Sequence, residues 1–425
     1  MAEKFIIYGS KPLKGVVEIG GYKNAAGSIL AATLMTKKEC IIDNLPLVLD
    51  VFSMIKVLKS MGAEIEWQGK KKVRIKTENV DPQTMDFKLI PKTRISVLLI
   101  GPLLSRFKDF EIAHPGGDRI GLRSISTHLK AFKKLGVDIK NKENLYQFSG
   151  KDFFDRNNEK KEIILKEFSV TATENVMMAV STREGKTIIK GASAEPQVQD
   201  LGKMLESMGV KTNGVGTHTI EIEGKKELDG VYHRIIPDPI EVGTFITAAA
   251  LTPGEVEIKD INLDYLDIFL DKFEEIGVNF EKKDDSIKVS YSPNLKAIKI
   301  QALPYPGFPT DLLSPVVTLL TQAKGRSLIH DPLYENRLNY VQELRKMGAD
   351  IELVDPHRAF VFGKTPLRGL TVSSWDIRAG ASLVIAGLIA KGKTTIENIY
   401  QIDRGYEKIE EKLQKLGAEI TRVKN

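Results

Sequence analysis

The sequence predicts an α/β protein of two globular domains, each built from three copies of a βαβαββ unit whose helices lie inside. Three observations predict this fold, and the first two are that one sequence phrase recurs six times and that an apolar helix recurs upstream of it. The length is the third, since 425 residues with 42% hydrophobic composition can form the cores of two or three domains.

The recurring phrase is the end of an amphipathic helix, as in Leu58-Lys59-Ser60-Met61-Gly62-Ala63. In each copy, apolar residues three apart precede a glycine that we expect in the left-handed conformation, and a strand follows. The six glycines are Gly62, Gly136, Gly209, Gly277, Gly348 and Gly417. This periodicity is typical of a repeated structural unit.

A second kind of helix lies upstream in most repeats and is apolar nearly all round, which predicts that it is buried. A short polar break and a strand follow it. The repeat is therefore strand, apolar helix, strand, amphipathic helix, strand, strand. The predicted apolar helices are Ala25–Ala32, Ile95–Leu104, Val242–Leu251, Leu312–Leu320 and Ala379–Ala390.

The boundary between the domains is predicted between the third and fourth repeats. The segment Lys225–Pro239 contains Gly230 and two prolines, so we expect a hinge there. The first strand, Lys4–Tyr8, is separated from the first apolar helix by Gly20 and Gly21. The residues alone therefore leave open which domain contains it.

The composition favours an enzyme that handles anionic metabolites over a nucleic-acid-binding protein. The net charge is +6, and the charges are interspersed, with Lys70-Lys71-Lys72 interpreted as a solvated strand edge. Cys40 is the single cysteine and is expected to be a buried hydrophobe. No histidine spacing indicates a metal site. Without a signal peptide or a stretch long enough to span a bilayer, we expect a cytoplasmic protein without membrane insertion.

Unusual polar residues stand where the six apolar helices begin. Capping explains Ser169, Thr310 or Asp311 well when each is considered alone. Cations at such positions are unfavourable unless an anion binds there. The residues at the six starts are Lys23 and Asn24, Arg94, Ser169, Asp238 and Glu241, Thr310 and Asp311, and Asp376 and Arg378.

The connection to the amphipathic helix departs from the repeat in three copies, and it does so mostly by adding arginine. The second repeat has the glycine-rich loop 114–123, with Asp118, Arg119 and Arg123; the fifth has Arg337 and the sixth Arg404. Arginine grips phosphate and carboxylate in a bidentate manner. The loop alone is more typical of a flexible connector than of a functional loop, and Arg337 or Arg404 alone is as typical of a structural ion pair as of a ligand contact. As a set with Lys23, they predict a cleft between two domains for a strongly charged small molecule.

At these residues the chain resembles the enolpyruvyl transferases over essentially its whole length. The family branch that makes 5-enolpyruvylshikimate 3-phosphate lacks the Pro-Gly-Gly loop and the last of the matching motifs. Those motifs are Gly21-Tyr22-Lys23-Asn24-Ala25-Ala26, Arg94 before Gly101-Pro102-Leu103-Leu104, Pro115-Gly116-Gly117 through Arg123, Pro306 through Asp311, Tyr334-Glu335-Asn336-Arg337, Asp376 through Ala379, and Asp403-Arg404-Gly405-Tyr406-Glu407.

The resemblance implies an inside-out α/β barrel fold with two domains, residues 23–234 and residues 1–22 plus 235–425, and an active site in the cleft between them. It also implies transfer of the enolpyruvyl group of phosphoenolpyruvate to the 3-hydroxyl of UDP-N-acetylglucosamine, the first committed step of peptidoglycan synthesis. No metal or organic cofactor, nucleic acid or obligate protein partner is expected.

The resemblance also implies roles for individual residues. Lys23, Asn24, Arg123 and Arg404 would hold phosphoenolpyruvate. Asn24, Arg94, Ser169, Asp311 and Arg337 would contact the nucleotide sugar, and Asp376 and Arg378 would support the cleft. Lys23, Asp118 and Asp311 would be catalytic, with Asp311 accepting the hydroxyl proton and Asp118 donating a proton or assisting product release.

Some positions depart from the family pattern. Asp118 stands where many members carry cysteine, although the family also contains aspartate versions. Five further departures fall where the nucleotide sugar would bind: Ser124, Ser126, Glu167, Thr171 and Pro239. Two alternatives therefore stay open. One is an enolpyruvyl transferase with a different hydroxyl acceptor, and the other is a non-catalytic paralogue that binds a UDP-sugar.

Overall fold

The computed structural model describes residues 3–117, 120–121, 123–155 and 160–424. The chain divides into two compact units. Unit 1 comprises Gly21–Asp118 and Arg123–Ile236. Unit 2 comprises Met1–Gly20, Arg119–Leu122 and Pro237–Asn425. Each unit contains three of the sequence repeats.

The helices follow the predicted order of apolar and amphipathic segments. A 3-10 segment, Arg94–Leu99, leads directly into the third helix. The helices are α1 (Lys23–Ala32), α2 (Leu49–Ser60), α3 (Ile100–Leu104), α4 (Ser126–Lys134), α5 (Lys151–Asp155), α6 (Val170–Val180), α7 (Pro196–Ser207), α8 (Pro239–Leu251), α9 (Asp267–Ile276), α10 (Thr310–Leu320), α11 (Val341–Lys346), α12 (Ile377–Ile389), α13 (Tyr400–Asp403) and α14 (Ile409–Lys415).

The strands are short and alternate buried with more exposed side chains, as in Cys40–Asp43, so each sheet buries one face. They are β1 (Glu3–Tyr8), β2 (Leu13–Glu18), β3 (Cys40–Asp43), β4 (Glu64–Trp67), β5 (Val73–Lys76), β6 (Asp109–Ala113), β7 (Asp138–Asn141), β8 (Leu145–Ser149), β9 (Lys161–Ile164), β10 (Gly185–Lys190), β11 (Lys211–Asn213), β12 (Thr219–Gly224), β13 (Val231–Arg234), β14 (Gly254–Lys259), β15 (Asn279–Lys282), β16 (Ser286–Ser290), β17 (Lys299–Gln301), β18 (Gly325–His330), β19 (Asp350–Asp355), β20 (Arg358–Gly363), β21 (Thr371–Ser373), β22 (Lys393–Glu397) and β23 (Glu419–Lys424).

Unit 1 contains three sheets, with strand orders β13-β3-β5-β4, β6-β8-β7 and β11-β12-β10-β9. The two four-stranded sheets each contain one parallel pair, β13 with β3 and β9 with β10. The sheet of the second repeat has three strands among the described residues. Its predicted first strand is replaced by 3-10 turns at Pro82–Thr84 and Ile90–Lys92, where prolines remove the N–H donors that a strand ladder needs.

Unit 2 contains the sheets β15-β16-β14-β2, β17-β18-β20-β19 and β21-β22-β1-β23. The first strand therefore pairs with the last one, and β1 also pairs with β22. An exchange of strands accompanies this arrangement. β2 precedes α1 in the chain yet pairs with β14, whereas β13 precedes α8 and pairs with β3.

The apolar helices are buried, as predicted. Every residue of α8 is buried, and so are all residues of α12 except the last. In unit 2, α8, α10 and α12 pack against one another, and in unit 1, α3 packs against α6. A Cβ on Gly101 would lie 2.3 Å from the main-chain oxygen of Asn175, so only glycine allows this approach of α3 to α6.

The repeated glycine has the predicted left-handed conformation in all six copies. Gly62, Gly136 and Gly209 have φ of 96°, 96° and 93°, and Gly277, Gly348 and Gly417 have φ of 92°, 103° and 102°. Each follows an amphipathic helix and allows the chain to turn into the next strand. Among the described residues, no helix has the length and apolar character needed to cross a membrane.

Candidate active site

The first candidate residue, Lys23, opens helix α1 in unit 1. Its ammonium lies 3.2 Å from the Asp50 carboxylate, which belongs to the first turn of α2. Lys23 is 9% and Asp50 3% exposed, so the ion pair is almost fully removed from solvent. The adjacent Asn24 donates a hydrogen bond from its amide to the Tyr22 hydroxyl at 3.2 Å. Side-chain orientation at the start of α1 is therefore fixed by protein contacts.

Arg94 and Arg123 both lie next to Gly117 of the glycine-rich loop. A Cβ on Gly117 would lie 2.9 Å from Arg94 Cβ and 3.2 Å from a guanidinium nitrogen of Arg123. Gly117 also has φ of 137°, which favours glycine. Arg94 donates a hydrogen bond to the main-chain oxygen of Ser124 at 3.3 Å. The Arg123 guanidinium therefore lies beside Gly117, and the Arg94 guanidinium is bonded to the residue that follows Arg123.

Ser169 stands at the start of helix α6, where its hydroxyl caps the helix by accepting from Ala172 N–H at 3.3 Å. In the first turn of α6, Thr171 Oγ1 lies 2.9 Å from Nε2 of His128. Burial, with the nearby Arg94 guanidinium as the second cause, lowers the pKa of His128 to about 3. His128 is therefore neutral at physiological pH.

In unit 2, Asp311 is held between two buried arginines. Arg337 Nη2 donates to one carboxylate oxygen at 2.5 Å, and Arg378 Nε donates to the other at 3.2 Å. Both arginine side chains are 3% exposed, whereas that of Asp311 is 29% exposed. Two guanidinium groups favour the ionised carboxylate, and its partial exposure leaves it accessible to a ligand.

Two further carboxylates anchor this cluster. Asp376 caps α12 by accepting from the backbone N–H groups of Arg378 and Ala379, and it lies 4.0 Å from Arg337. Burial alone would lower the pKa of Arg337, but the Asp311 and Asp376 carboxylates outweigh it and raise that pKa. Asp238, which caps α8, has its pKa raised to about 6 by burial, against the lowering effect of Arg378.

Arg404 follows the short helix α13 and is 6% exposed. Its guanidinium donates to the Gln401 side chain at 2.9 Å. Two residues later, the buried Tyr406 ring lies beneath the Arg378 guanidinium at 5.1 Å, and its hydroxyl bonds to Thr244 at 2.9 Å. The segment after α13 is thereby linked to the cluster around Asp311.

A family model described as EPSP synthase (3-phosphoshikimate 1-carboxyvinyltransferase) matches residues 7–413 of the chain. The chain belongs to the enolpyruvyl transferase family. The resemblance inferred from the motifs is therefore confirmed, and so is the predicted fold class.

Curated relatives of this enolpyruvyl transferase match it over nearly its full length. UDP-N-acetylglucosamine 1-carboxyvinyltransferase 1 of Caldanaerobacter subterraneus subsp. tengcongensis is 42% identical, with 99% of this chain and 100% of the relative covered. UDP-N-acetylglucosamine 1-carboxyvinyltransferase 2 of Clostridium tetani is also 42% identical, with the same coverage.

Solved structures of other members share the fold. The enolpyruvyl transferase NikO from Streptomyces tendae has a TM-score of 0.89 at 22% identity, with 99% of each chain covered. EPSP synthase from Acinetobacter baumannii has a TM-score of 0.74 at 18% identity over 100% of both chains. At these identities the comparison supports the architecture alone.

Two interpretations of the helix starts need correction. We expected bound anions to explain the cations at these positions, but Lys23 and Arg378 are already paired with the protein carboxylates Asp50 and Asp311. Capping explains Ser169, as anticipated. It does not explain Asp311, because the residue before α10 that would cap it is Pro309, and the Asp311 side chain bonds to arginines instead.

Asp118 and Arg119 of the glycine-rich loop lie outside the described residues. Asp50 pairs with Lys23 and Tyr406 packs against Arg378 in the structure, but sequence reasoning gave neither residue a role. Asp50 carries no distinguishing signal, because an acidic residue in the first turn of a helix is common. Tyr406 belongs to the motif Asp403-Arg404-Gly405-Tyr406-Glu407, and an aromatic residue two positions after Arg404 was the signal that could have identified it.

Proposed function

We propose that this chain transfers the enolpyruvyl group of phosphoenolpyruvate to the 3-hydroxyl of UDP-N-acetylglucosamine and releases phosphate, the first committed step of peptidoglycan synthesis. One observation carries the proposal: curated proteins named for this reaction are 40–42% identical over 99% of the chain. The substrates are both anionic small molecules, which agrees with the cationic residues at the helix starts and loops.

In this proposal, Lys23, Arg123 and Arg404 bind the phosphate and carboxylate groups of phosphoenolpyruvate, together with Asn24. The Lys23 ammonium is restrained by Asp50 at 3.2 Å, so little side-chain entropy is lost when the substrate arrives. Arginine provides the planar fork that matches carboxylate and phosphate.

The nucleotide sugar contacts Asn24, Arg94, Ser169, Asp311 and Arg337. Asp311 accepts the proton of the attacking 3-hydroxyl. Arg337 and Arg378 each hold one oxygen of its carboxylate, which fixes the plane of the carboxylate. Asp376 in turn holds Arg378 through its backbone N–H. Such a supported carboxylate meets the geometric demand on a general base.

The reaction runs as addition followed by elimination. The sugar oxygen bonds to the central carbon of phosphoenolpyruvate while a proton adds to the methylene carbon, and the hydroxyl proton passes to Asp311. Loss of a methyl proton and of phosphate then restores the double bond. The fixed cations stabilise the anionic groups, and exclusion of water protects the intermediate.

Asp118 is the proposed proton donor, or it assists the release of product. For a carboxylic acid to donate a proton at pH 7, its pKa must lie about 3 units above that of free aspartate, which is roughly 4 kcal/mol. Burial beside the negatively charged phosphoenolpyruvate acts in this direction. The acid is therefore competent only with substrate bound.

Phosphate release in the presence of phosphoenolpyruvate and UDP-N-acetylglucosamine tests the proposal. Lys23→Ala or Arg404→Ala should abolish release while the protein stays folded by circular dichroism. Lys38→Ala is a matched control, because Lys38 forms an exposed ion pair with Asp229 at 2.6 Å. Absence of release by the wild-type protein, or normal turnover by either active-site variant, would contradict the assignment.

A different hydroxyl acceptor is the second candidate, and contacts at the departing positions favour it. Glu167 accepts a hydrogen bond from Thr127 at 2.5 Å, and Thr171 contacts His128. These contacts place an additional carboxylate near the start of α6, where Ser169 is proposed to bind the acceptor. A panel of hydroxyl acceptors assayed with phosphoenolpyruvate distinguishes the candidates. Phosphate release with another acceptor, but none with UDP-N-acetylglucosamine, would support the second.

A non-catalytic UDP-sugar-binding paralogue remains the third alternative. It predicts binding of UDP-N-acetylglucosamine in a calorimeter without phosphate release when phosphoenolpyruvate is added. Turnover with any acceptor would exclude it.

A further inference from the structure

Arg422 on the last strand, β23, joins three separate segments of unit 2. Its guanidinium donates to Asp403 on α13 through two hydrogen bonds of 2.7 and 2.9 Å, to Glu410 on α14 at 2.6 Å and to Glu3 on β1 at 2.8 Å. It also lies over the Phe5 ring at 5.0 Å. One side chain thus fixes α13 and α14 to the strand pair at the chain ends.

Asp403 is the residue immediately before Arg404, and Arg422 engages both of its carboxylate oxygens. Helix α13 contains only four residues, Tyr400–Asp403. A helix this short is not stable in isolation, because the free energy needed to nucleate a helix exceeds the free energy gained from the hydrogen bonds of a single turn. The orientation of α13, and of the arginine that follows it, must therefore come from side-chain contacts such as this one.

The other flank of Arg404 is fixed by packing. A Cβ on Gly405 would lie 2.4 Å from Cγ2 of Ile377, so the backbone lies directly against α12. Tyr406 is 2% exposed and is held by Thr244. Arg404 therefore stands between a packed segment on one side and the carboxylate held by Arg422 on the other.

We propose that Arg422 is a positioning residue for phosphoenolpyruvate: through Asp403 it holds the turn that presents Arg404 to this substrate. The inference rests on the proposed function, in which Arg404 binds phosphoenolpyruvate. In this role Arg422 contacts neither substrate. Its replacement weakens the binding of phosphoenolpyruvate but not that of the nucleotide sugar.

Charge gives Arg422 a second effect on the same substrate. An Asp403 carboxylate released from Arg422 can pair with the neighbouring Arg404, and it then competes with the anionic substrate for that guanidinium. The hydrogen bonds that Arg422 donates to Asp403, and then those to Glu410 and Glu3, raise the pKa of Arg422 against the lowering effect of its burial. Arg422 therefore remains a cation throughout the assay range and keeps Asp403 engaged.

Steady-state kinetics of Arg422→Gln with each substrate varied in turn test the proposal. We expect KM for phosphoenolpyruvate to rise by about tenfold to a hundredfold, because small misplacements of a binding group cost this much, while KM for the nucleotide sugar stays within about twofold of wild type. Arg422→Lys keeps the charge but loses the fork, so its KM should lie between those of the wild type and Arg422→Gln.

Asp403→Asn is the second variant and is nearly isosteric, so it reports on position if Arg422→Gln folds poorly. It should raise KM for phosphoenolpyruvate in the same selective way. Arg74→Gln is the matched control. The Arg74 side chain is 26% exposed, compared with 25% for Arg422. Like Arg422 it bridges carboxylates, in this case those of Glu39 and Glu66, but it lies in unit 1. It should leave both KM values unchanged.

Calorimetric titration with phosphoenolpyruvate alone separates this inference from the proposed function. A wild-type protein that binds phosphoenolpyruvate but does not turn over UDP-N-acetylglucosamine refutes the proposed acceptor, and the variants can still be compared by dissociation constant. Equal phosphoenolpyruvate affinity in wild type and in folded Asp403→Asn overturns the inference. So does a loss of affinity that affects both substrates equally.

Discussion

The ion pair between Lys23 and Asp50 makes a specific prediction about stability. Replacing Asp50 by Asn leaves the Lys23 ammonium nearly buried, at the start of α1, without its counter-charge. The start of a helix is also where a cation is least favourable. We therefore expect Asp50→Asn to destabilise unit 1 in the absence of ligand.

The geometry sets the size of the effect. At 3.2 Å, the Coulomb attraction of the pair is roughly 5 kcal/mol at an effective dielectric constant of about 20. Removing one partner of a buried pair costs about 3–5 kcal/mol. For a unit of about 200 residues, about 2–4 °C is lost per kcal/mol, so the melting temperature should fall by roughly 10 °C.

Thermal melts of Asp50→Asn, Lys23→Met and the double variant provide the test. The double variant contains no unpaired buried charge, so it should be more stable than Asp50→Asn. The pair of Lys38 and Asp229 is the matched control, because its side chains are 60% and 46% exposed. Breaking that pair should cost less than about 1 kcal/mol.

Ligand binding adds a second readout. If Lys23 binds phosphoenolpyruvate, the substrate supplies the missing negative charge and should raise the melting temperature of Asp50→Asn more than that of wild type. A double variant as unstable as the sum of the single variants would refute the ion-pair argument. Equal stabilisation of wild type and Asp50→Asn by phosphoenolpyruvate would refute the role of Lys23 in binding.

Three further predictions follow from the site and the core. Asp311→Asn should lower kcat by about 10²–10⁴, the usual contribution of a general base, in a phosphate-release assay; an unchanged kcat would exclude Asp311 as that base. Burial raises the pKa of Glu174 from 4.5 to about 8, so the stability that Glu174 contributes is complete below pH 4.5 and is lost as the pH rises to about 8. Over this range the free energy of unfolding of the wild type, measured by urea denaturation, should include a fall of about 1.4 kcal/mol per pH unit from this residue. Glu174→Gln should remove that fall. Burial raises the pKa of the Cys40 thiol to about 11, which leaves little reactive thiolate, and position 118 carries aspartate. An alkylating epoxide should therefore leave the activity unchanged and Cys40 unmodified by mass spectrometry, and rapid inactivation would contradict this.

The parts of the fold that sequence predicts are those with local causes. Gly62 and its five counterparts end helices because only glycine adopts their φ without strain, and this signal lies within one helical turn. The burial of α8 and α12 follows from an unbroken apolar composition. Both predictions are confirmed because no distant residue is needed to make them.

The exchange of β2 and β13 between sheets is different. Each of these strands pairs in the sheet of the other's repeat, because β2 precedes α1 but pairs with β14, and β13 precedes α8 but pairs with β3. The hydrophobic pattern of a strand specifies which of its faces is buried, but it does not identify the strand with which it pairs. The same holds for the first strand, β1, whose domain the sequence left open: its pairing with β22 and β23 assigns it to unit 2.

The contacts around Arg404 show the same limit at the site. The arginine itself was apparent as a departure from the repeat, but its support was not, because Arg422 and Glu3 lie 419 positions apart. A charged residue near a chain end is usually interpreted as solvated. Reading the repeat thus revealed the candidate ligand contacts, whereas the residues that hold them became visible only in the folded chain.

The pairing of Asp311 with two arginines also constrains the proposed chemistry. Guanidinium groups that orient a carboxylate also reduce its affinity for a proton. Even an ordinary aspartate carboxylate is too weak a base to ionise a free sugar hydroxyl before the attack begins. As the bond from the sugar oxygen to the central carbon of phosphoenolpyruvate forms, that oxygen becomes positively charged and its proton strongly acidic. In the proposed reaction, proton transfer to Asp311 therefore accompanies or follows bond formation, so the arginines cost little reactivity while they fix the direction of the transfer.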